Sequence, residues 1–334
     1  MGSGYTDCML GKNALKTTIV IPNYNGKEYL IPCLNSIFAD EPSIKVLVVD
    51  NGSRDGSVEE LQKYPQVDVI RFPENRGFCV AVNAGILAAE TDYVILLNND
   101  VVVEKGFSGA LEKALDEHPK AFSVGAQMRM MKDPDYMDNA GDYYCALGWA
   151  YDYGKGRKVQ DKYQHPRKVF AACGGAAIYR KSMLDEIGLF DENHFAYLED
   201  VDIGYRARIF GYQNLYEPKA LVYHAGSSVS GSKYNEFKTN LSSRNSIYLV
   251  MKNMPALQIL VNLPFLCMGF LVKTIFFSRK KMGKLYVKGL AKGFQLSFSE
   301  SGKNHKISFR WKHFPNYLLI QWELWVNLLR RFFG

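Results

Sequence analysis

The stretch YVILLNNDVVVEKG, residues 93–106, combines an apolar run with a polar end. Its first five residues are hydrophobic or aromatic, and the chain then turns polar at Asn98, Asn99 and Asp100. A short apolar run bounded by polar residues is typical of a strand buried on both faces of a sheet. We therefore predict that two amides and one carboxylate lie together at the edge of a sheet.

Three strand–helix pairs precede this stretch. Strands are predicted over 17–22, 44–50 and 67–72, and each is followed by a segment with helical character. Strands that alternate with helices predict an α/β fold, with a mainly parallel sheet covered by helices on both faces. Ligands bind such sheets at the carboxyl ends of the strands, and all four ends here are polar. The motifs of dinucleotide and P-loop sites do not occur.

Charge divides the 334 residues into two parts. Residues 1–250 contain 27 Lys and Arg against 32 acids, whereas residues 251–334 contain 14 Lys and Arg against two acids. We predict an N-terminal extension over 1–16, an α/β domain over 17–250 and a separate helical region over 251–334. The six cysteines include no C-x-x-C pair, which favours reduced thiols in a cytosolic protein.

The basic C-terminal region is also apolar and aromatic. Residues 256–277 are nominally long enough to cross a bilayer, but they contain four residues that disfavour a clean span: Gln258, Asn262, Pro264 and Lys273. A basic stripe follows at Lys284, Lys288 and Lys292. This pattern predicts amphipathic helices that lie on an anionic membrane surface. The apolar content argues against a nucleic-acid partner, and formation of a homo-oligomer through the same faces is the alternative.

Seven motifs occur in a fixed order: VIPNYNG, VVDNGSRDGS, NRGF, LLNND, GGAAIYRK, LEDVD and LVYHAG. Together they resemble the inverting family 2 glycosyltransferases with the GT-A fold. The resemblance covers about residues 17–250 and is closer to the branch of bacterial rhamnosyltransferases and galactofuranosyltransferases. It implies that a sugar passes from a nucleotide diphosphate donor to an acceptor hydroxyl with inversion, usually with Mg²⁺ or Mn²⁺.

The resemblance implies a metal site at the end of the opening stretch. The family's motif there is Asp-x-Asp, but Asn98 occupies the first position and leaves Asp100 as the expected ligand. His224 matches the position where this branch supplies a histidine to the metal. The amide of Asn98 can still hydrogen-bond a ribose hydroxyl. The alternative is that residues 98–100 form a polar turn and that His224 is a hydrogen-bonded core histidine.

The resemblance also implies a nucleotide site at the first strand ends. Asp50 matches an aspartate that accepts a hydrogen bond from the pyrimidine N3–H, which selects uracil or thymine. The other residues expected to bind the nucleotide sugar are Pro22, Tyr24, Asn25, Asn51, Arg76, Gly77, Phe78, Asn98, Asn99, Gly174, Gly175 and Arg244.

The segment YLEDVDIGYRAR, residues 197–208, supplies the acids that the chemistry needs. An acceptor alcohol is a poor nucleophile, so inversion calls for a carboxylate base. The family's base aligns with Asp200, and Glu199 is the second candidate. Asp202 and Arg206 have the spacing of a helical ion pair. The alternative is that all three acids only cap and solvate a helix.

The resemblance implies an enzyme of cell-surface polysaccharide synthesis. We expect a hexosyltransferase that moves L-rhamnose from dTDP-rhamnose to a lipid-linked saccharide, peripherally bound to the inner face of the cell membrane. Residues 225–237 are expected to close over the diphosphate. The alternatives are transfer of galactofuranose or another UDP-linked hexose and, in another class, an inactive carbohydrate-binding scaffold.

Overall fold

The first hundred residues fold into parallel strands joined by helices. The structure is a computed structural model that describes residues 15–226 and 235–333. The elements in chain order are β1 (Thr17–Asn23), α1 (Lys27–Asp40), β2 (Lys45–Asp50), α2 (Ser57–Leu61), β3 (Val67–Arg71), α3 (Phe78–Ala88) and β4 (Tyr93–Leu97). The strands lie in the order β3-β2-β1-β4, all parallel. The four predicted strands are therefore confirmed.

The next part of the chain widens this sheet with strands of both directions. Its elements are β5 (Val101–Val103), α4 (Phe107–Glu117), β6 (Ala121–Met130), β7 (Asp133–Asn139), β8 (Asp142–Cys145), β9 (Trp149–Asp152), β10 (Arg167–Val169), β11 (Ala176–Arg180), α5 (Lys181–Ile187), α6 (Glu199–Ile209) and β12 (Gln213–His224). The sheet has the order β10-β12-β6-β11-β4-β1-β2-β3, while β5 pairs with β12 and β7 with β6. Strand β11 is antiparallel to β4, and β8 and β9 form a separate hairpin.

Apolar layers cover both faces of the sheet, as the sequence predicts. Ile19 of β1 belongs to a buried cluster with Leu34 of α1 and Leu111 of α4. The next residue, Val20, belongs to a second cluster with residues of α3, α5 and α6, including Ile86. Successive strand residues point to opposite faces, so this continuous apolar strand needs helices on both sides.

Residues 235–333 form five α-helices: α7 (Glu236–Asn253), α8 (Ala256–Arg279), α9 (Gly283–Phe298), α10 (Glu300–Asn304) and α11 (Phe314–Phe333). Helix α7 passes through the predicted boundary at residue 250 without a break. Helix α9 packs directly on it, because a Cβ at Gly289 would lie 1.8 Å from Ser243 Oγ. A Cβ at Gly293 would lie 2.4 Å from the carbonyl oxygen of Arg244. The predicted domain division stays a prediction. A boundary at residue 250 would lie inside α7, a helix that packs closely against α9.

A buried ionic network fastens α7 to the α/β fold. The Lys252 ammonium lies 2.7 Å from Asp191 and 2.8 Å from Asp202, and Arg206 lies 3.0 Å from Asp202. All four residues are at most 3% exposed. Burial opposes the charge on Asp202, but Lys252 and Arg206 hold the pKa of its carboxyl far below the usual range. The predicted Asp202–Arg206 ion pair is confirmed, with Lys252 as an additional partner.

Candidate active site

A cavity of about 470 Å³ opens at the carboxyl ends of the parallel strands. Nine of the predicted site residues line it: Pro22, Tyr24, Asn51, Gly77, Phe78, Asn98, Asn99, Asp100 and His224. The lining also includes two residues of α7: Phe237, the last residue of the predicted closing segment, and Lys238, which sequence reasoning missed. The cavity has the position that ligand sites occupy in open α/β sheets.

Asp100 and His224 meet at one part of this cavity. Strand β5, directly after Asp100, pairs with the end of β12, so that Val101 lies opposite His224. As a result, Nε2 of His224 lies 3.3 Å from Oδ1 of Asp100. Nδ1 of His224 lies 2.7 Å from Oδ2 of Asp138, a residue that sequence reasoning missed. Burial opposes the charge on His224, but the two carboxylates outweigh burial and raise its pKa to about 9.

This group of side chains fits a divalent ion. Asp100 supplies carboxylate oxygens, the ligand type that Mg²⁺ and Mn²⁺ prefer, and His224 would supply its Nε2 once an arriving ion displaces the proton there. Both line a cavity in which phosphate oxygens would have room to complete a coordination shell. Asp138 stands where metal-binding histidines commonly have a carboxylate that fixes the ring. A second acidic group, Asp191 with Asp202, is already neutralised by Lys252.

Asn23 connects the ends of three neighbouring strands. Its Nδ2 donates to Oδ1 of Asp50 at 3.1 Å and to Oγ of Ser57 at 3.0 Å, while its Oδ1 accepts from Nδ2 of Asn99 at 2.8 Å. The other oxygen of Asp50 accepts from the amide of Ser53 at 3.2 Å. Asp50 and Asn99 are thus fixed from within the protein. Their predicted contacts with the nucleotide stay predictions.

Asn51 fixes the segment that follows β3. Its Oδ1 accepts from the amide of Arg76 at 2.8 Å, and its Nδ2 donates to the carbonyl of Gly77 at 3.0 Å. Gly77 has φ of 92°, and a Cβ there would lie 2.7 Å from the ring of Phe195. Only glycine satisfies both the backbone conformation and the close approach. The guanidinium of Arg76 lies 5.1 Å from the ring centre of Phe72.

Four other predicted donor-binding residues have protein partners near the cavity. Asn25 accepts from the amide of Arg54, and the carbonyl of Gly175 accepts from the amide of Asn98. Gly174 is buried near Phe78. Arg244 donates to the carbonyl of His194 at 2.9 Å. Their roles in donor binding stay predictions. Most of the predicted closing segment, 225–237, lies outside the described residues.

A loop of unusual backbone conformation forms one wall of the cavity. Phe195, Tyr197 and Leu198 all have positive φ, at 61°, 71° and 69°. Phe195 also has ψ of −61°, which with the hydrogen bond from the amide of Ala196 to His194 makes a γ-turn. Non-glycine residues persist in such conformations only where the surrounding structure holds them, and they concentrate at functional sites.

Asn245 of α7 supplies much of that support. Its Nδ2 lies within hydrogen-bond distance of three loop carbonyls, at 3.0 Å from His194, 2.9 Å from Ala196 and 2.7 Å from Tyr197. On the other side of the loop, the carbonyl of Phe195 accepts from the amide of Phe78 at 2.7 Å. The loop therefore connects α7 to the first turn of α3.

Asp200 lies in the first turn of α6, directly after this loop. Its Oδ1 accepts from the amide of Val201 at 2.7 Å, and its side chain approaches Gly174. A carboxylate oxygen of Asp200, a carboxylate oxygen of Asp142 and Sγ of Cys173 lie within 4.8 Å of one another. Burial raises the pKa of Asp200 and, together with the Asp200 charge, that of Asp142. A carboxylate with a raised pKa is a stronger base than an exposed one.

Glu199, the second candidate for the base, differs from Asp200. Within the described residues its Oε2 is buried and has no hydrogen-bond partner. Burial, followed by the charge of Asp200, raises the pKa of Glu199 to about 8. Both causes oppose ionisation of Glu199, whereas Asp200 accepts a hydrogen bond from the amide of Val201, which makes Asp200 the better candidate for the base.

The chain is similar to known glycosyltransferases. The model of the family "Glycosyl transferase family 2" matches residues 18–188. The chain is 30% identical over 243 residues to the N-acetylglucosaminyl-diphospho-decaprenol L-rhamnosyltransferase of Mycobacterium tuberculosis (strain CDC 1551 / Oshkosh). The aligned region covers 64% of this chain and 77% of that protein.

Two solved structures show the same fold. GalNAc-T7 with UDP, GalNAc and Mn²⁺ superposes with a TM-score of 0.57 at 16% identity, over 72% of this chain and 48% of that chain. The mannosyltransferase PcManGT from Pyrobaculum calidifontis, with GDP-Man and Mn²⁺, gives 0.51 at 15% identity, over 92% and 85%. The predicted GT-A fold and glycosyltransferase activity are thereby confirmed. The chain belongs to glycosyl transferase family 2.

Proposed function

We propose that this glycosyltransferase transfers L-rhamnose from dTDP-rhamnose to a hydroxyl of a lipid-linked saccharide, with inversion. The observation that carries the proposal is the half-buried carboxylate of Asp200, with its raised pKa, beside Gly174, which in turn lies next to Phe78 in the lining of the cavity. The similarity to a mycobacterial L-rhamnosyltransferase, whose name contains a lipid-linked N-acetylglucosamine, supports the choice of sugar and acceptor.

In this mechanism Asp200 takes the proton of the acceptor hydroxyl. The acceptor oxygen then attacks the anomeric carbon from the face opposite the diphosphate, and the bond from that carbon to the diphosphate breaks. The strained loop at 195–198 orients Asp200, since α6 begins directly after it. Holding the hydroxyl and the anomeric carbon in line lowers the barrier further.

The leaving diphosphate needs positive charge around it. Asp100 and His224 would hold a divalent ion, Mg²⁺ or Mn²⁺, and this ion would neutralise charge on the diphosphate. Lys155 and Lys238 line the same cavity and bring two more cationic side chains to it. The Mn²⁺ in both similar structures supports an ion of this type. Because Asn98 replaces one carboxylate of the family's motif, the two lysines would neutralise a larger share of the diphosphate charge.

The acceptor places the reaction at a membrane. We propose that the protein is peripherally bound at the cytoplasmic face through its C-terminal helices, beside the lipid that carries the saccharide. Residues 251–334 contain 14 basic residues and only two acids, and this positive charge supports the location.

Donor binding and transfer test the proposal together. The purified full-length protein is heated with dTDP-rhamnose or UDP-sugars, each with and without Mn²⁺, because a bound donor raises the melting temperature by mass action. Transfer is then measured with a polyprenyl-diphosphate N-acetylglucosamine acceptor, and the linkage configuration is read by NMR. We expect stabilisation and transfer with dTDP-rhamnose. Response to a UDP-sugar alone would identify the alternative donor, and absence of both donor binding and transfer would favour an inactive scaffold.

A further inference from the structure

The exposed apolar side chains of the described residues concentrate in the C-terminal helices. Helix α8 alone exposes nine large ones: Leu257, Leu260, Val261, Leu263, Met268, Leu271, Val272, Ile275 and Phe276. Within the described residues, α8 is the one helix long and apolar enough to cross a membrane, and only 17% of its most apolar window is buried. An apolar surface of this extent is unusual on a protein surrounded by water and marks an interaction site.

Two polar side chains of α8, Gln258 and Asn262, point the opposite way, into the protein. Gln258 accepts a hydrogen bond from the hydroxyl of Tyr205 at 2.8 Å. Asn262 exchanges two hydrogen bonds with Gln321 of α11, at 2.7 Å and 2.9 Å. A surface helix in water has the reverse arrangement, with its polar side outward. The outward side of α8 is therefore suited to an apolar environment.

Helix α11 continues this arrangement. Its exposed apolar residues are Leu318, Leu319, Trp322, Trp325, Leu329 and Phe332. On its opposite side Asn327 donates to the carbonyl of Tyr144 at 3.0 Å, and Ile320 and Leu324 are buried. The paired amides of Asn262 and Gln321 join the two helices, so that two apolar faces lie on adjoining elements.

The positive charge of this region indicates which partner would bind the apolar faces of α8 and α11. Helix α9 carries exposed lysines at 284, 288 and 292, and residues 251–334 hold an excess of 12 positive charges. A second copy of the chain on this surface would bring two strongly cationic regions together. An anionic bilayer offers the complementary charge together with an apolar interior, and tryptophans such as Trp322 favour its interface.

We propose that the outward faces of α8 and α11 form one docking surface for a single leaflet of an anionic bilayer, with α8 lying along the membrane plane. This inference deepens the membrane location proposed above. A spanning α8 would have to give up its bonds to Tyr205 and Gln321 and place the amides of Gln258 and Asn262 in hydrocarbon, which is costly. An in-plane α8 keeps these bonds and buries only its apolar face.

Vesicle flotation tests the surface. Full-length protein is floated with phosphatidylcholine vesicles that contain or lack phosphatidylglycerol, at low and high salt, without donor or acceptor. Leu260→Glu is compared with Leu87→Glu on α3, because the two leucines are 64% and 67% exposed. We expect binding to anionic vesicles, weakened on the order of tenfold by Leu260→Glu and unchanged by Leu87→Glu. The assay is independent of the transfer reaction, so its failure is distinct from failure of the proposed function.

Cys267 tests the orientation of α8. It is exposed and lies midway along the helix, and a fluorophore on it is quenched by nitroxide lipids with the nitroxide at different depths. The Cys267→Ser protein measures labelling of other thiols. We expect strongest quenching by shallow nitroxides, since an in-plane helix lies at the headgroup boundary.

Four outcomes would overturn the proposal. Strongest quenching by nitroxides at the bilayer centre would mean that α8 spans. Absence of flotation at low salt would remove the bilayer as occupant. A concentration-dependent dimer that Leu260→Glu dissociates, without vesicle binding, would identify a second copy. Equal loss of flotation in both glutamate variants would exclude a specific surface.

Discussion

Asp138 accepts a hydrogen bond from Nδ1 of His224 at 2.7 Å, while Nε2 of the same ring faces Asp100 at 3.3 Å. The histidine is thus held by one carboxylate and directed toward the other. This arrangement fixes which ring nitrogen faces the cavity.

Asp138→Asn is expected to weaken Mn²⁺ binding about 10- to 100-fold, because the ring of His224 loses its charged hydrogen-bond partner. Free Mn²⁺ is counted by electron paramagnetic resonance during titration, with no substrate present. Asp152→Asn is the matched control, since Asp152 and Asp138 both pair with Lys155. Equal affinity in wild type and Asp138→Asn would show that Asp138 does not position a ligand.

Asp100→Ala is expected to abolish both Mn²⁺ binding and transfer, because Asp100 is the one carboxylate left in the family's metal motif. The rate is measured with Mn²⁺ and with excess chelator. Full wild-type activity in chelator would mean that lysines such as Lys155 neutralise the diphosphate without an ion. In that case His224→Ala would cost little.

Asp200→Asn is expected to lower the transfer rate by about 10²- to 10⁴-fold, because an amide cannot take the acceptor's proton. Donor binding should be nearly unchanged, and it is measured as the difference in melting temperature with and without the donor. Glu199→Gln is the comparison, with a smaller loss expected since burial and the charge of Asp200 oppose ionisation of Glu199. A rate near wild type for Asp200→Asn would transfer the role of base to Glu199.

The transfer rate is expected to fall with decreasing pH at values above the usual aspartate pKa of about 3.9. Burial raises the pKa of Asp200, so its carboxylate becomes protonated at a higher pH than an exposed one. The base is active above that pKa and is lost as the pH falls through it. The measurement is kcat/KM against pH, with donor affinity followed in parallel. A flat profile down to the usual aspartate pKa would contradict a base whose pKa is raised.

Lys252→Met is expected to lower the free energy of unfolding by about 3–5 kcal/mol, since Asp191 and Asp202 would remain buried without their shared cation. Urea denaturation at neutral pH measures the change. Lys292→Met on the exposed side of α9 is the control and should stay within about 0.5 kcal/mol of wild type. Similar stabilities of the two variants would mean that Lys252 is dispensable.

A loss of stability at low pH is expected from the same network. The pKa of Asp202 is depressed, so the stabilisation from its pairs is present at neutral pH and is lost as the pH falls through the usual carboxyl range and below it.

The polar ends of the first four strands were predictable, because each follows an apolar run and parallel strands share one carboxyl edge. Asp100 after β4 is the clearest case. Asp138 was not predictable, because β7 has no apolar run and pairs with β6 through register shifts. Nothing local in that segment indicates that Asp138 would reach His224, which is 86 residues away.

The C-terminal helices show a similar limit. Gln258 and Asn262 are four residues apart, so the sequence contains the information that they share one side of a helix. It does not tell which side faces the protein. That depends on Tyr205 and Gln321, whose distances from α8 along the chain leave no local signal.

The contacts of the Asn245 amide nitrogen with three carbonyls of the strained loop have a consequence for recombination between related transferases. A hybrid protein that takes residues 1–235 from this chain and the remainder from a relative would receive a foreign α7 against its own loop. Unless the relative supplies an amide at the equivalent position, the wall of the donor cavity would lose its support although every strand-end residue is intact. Exchange of C-terminal helices should therefore begin after Met254, where α7 has ended and its contacts with the loop are kept.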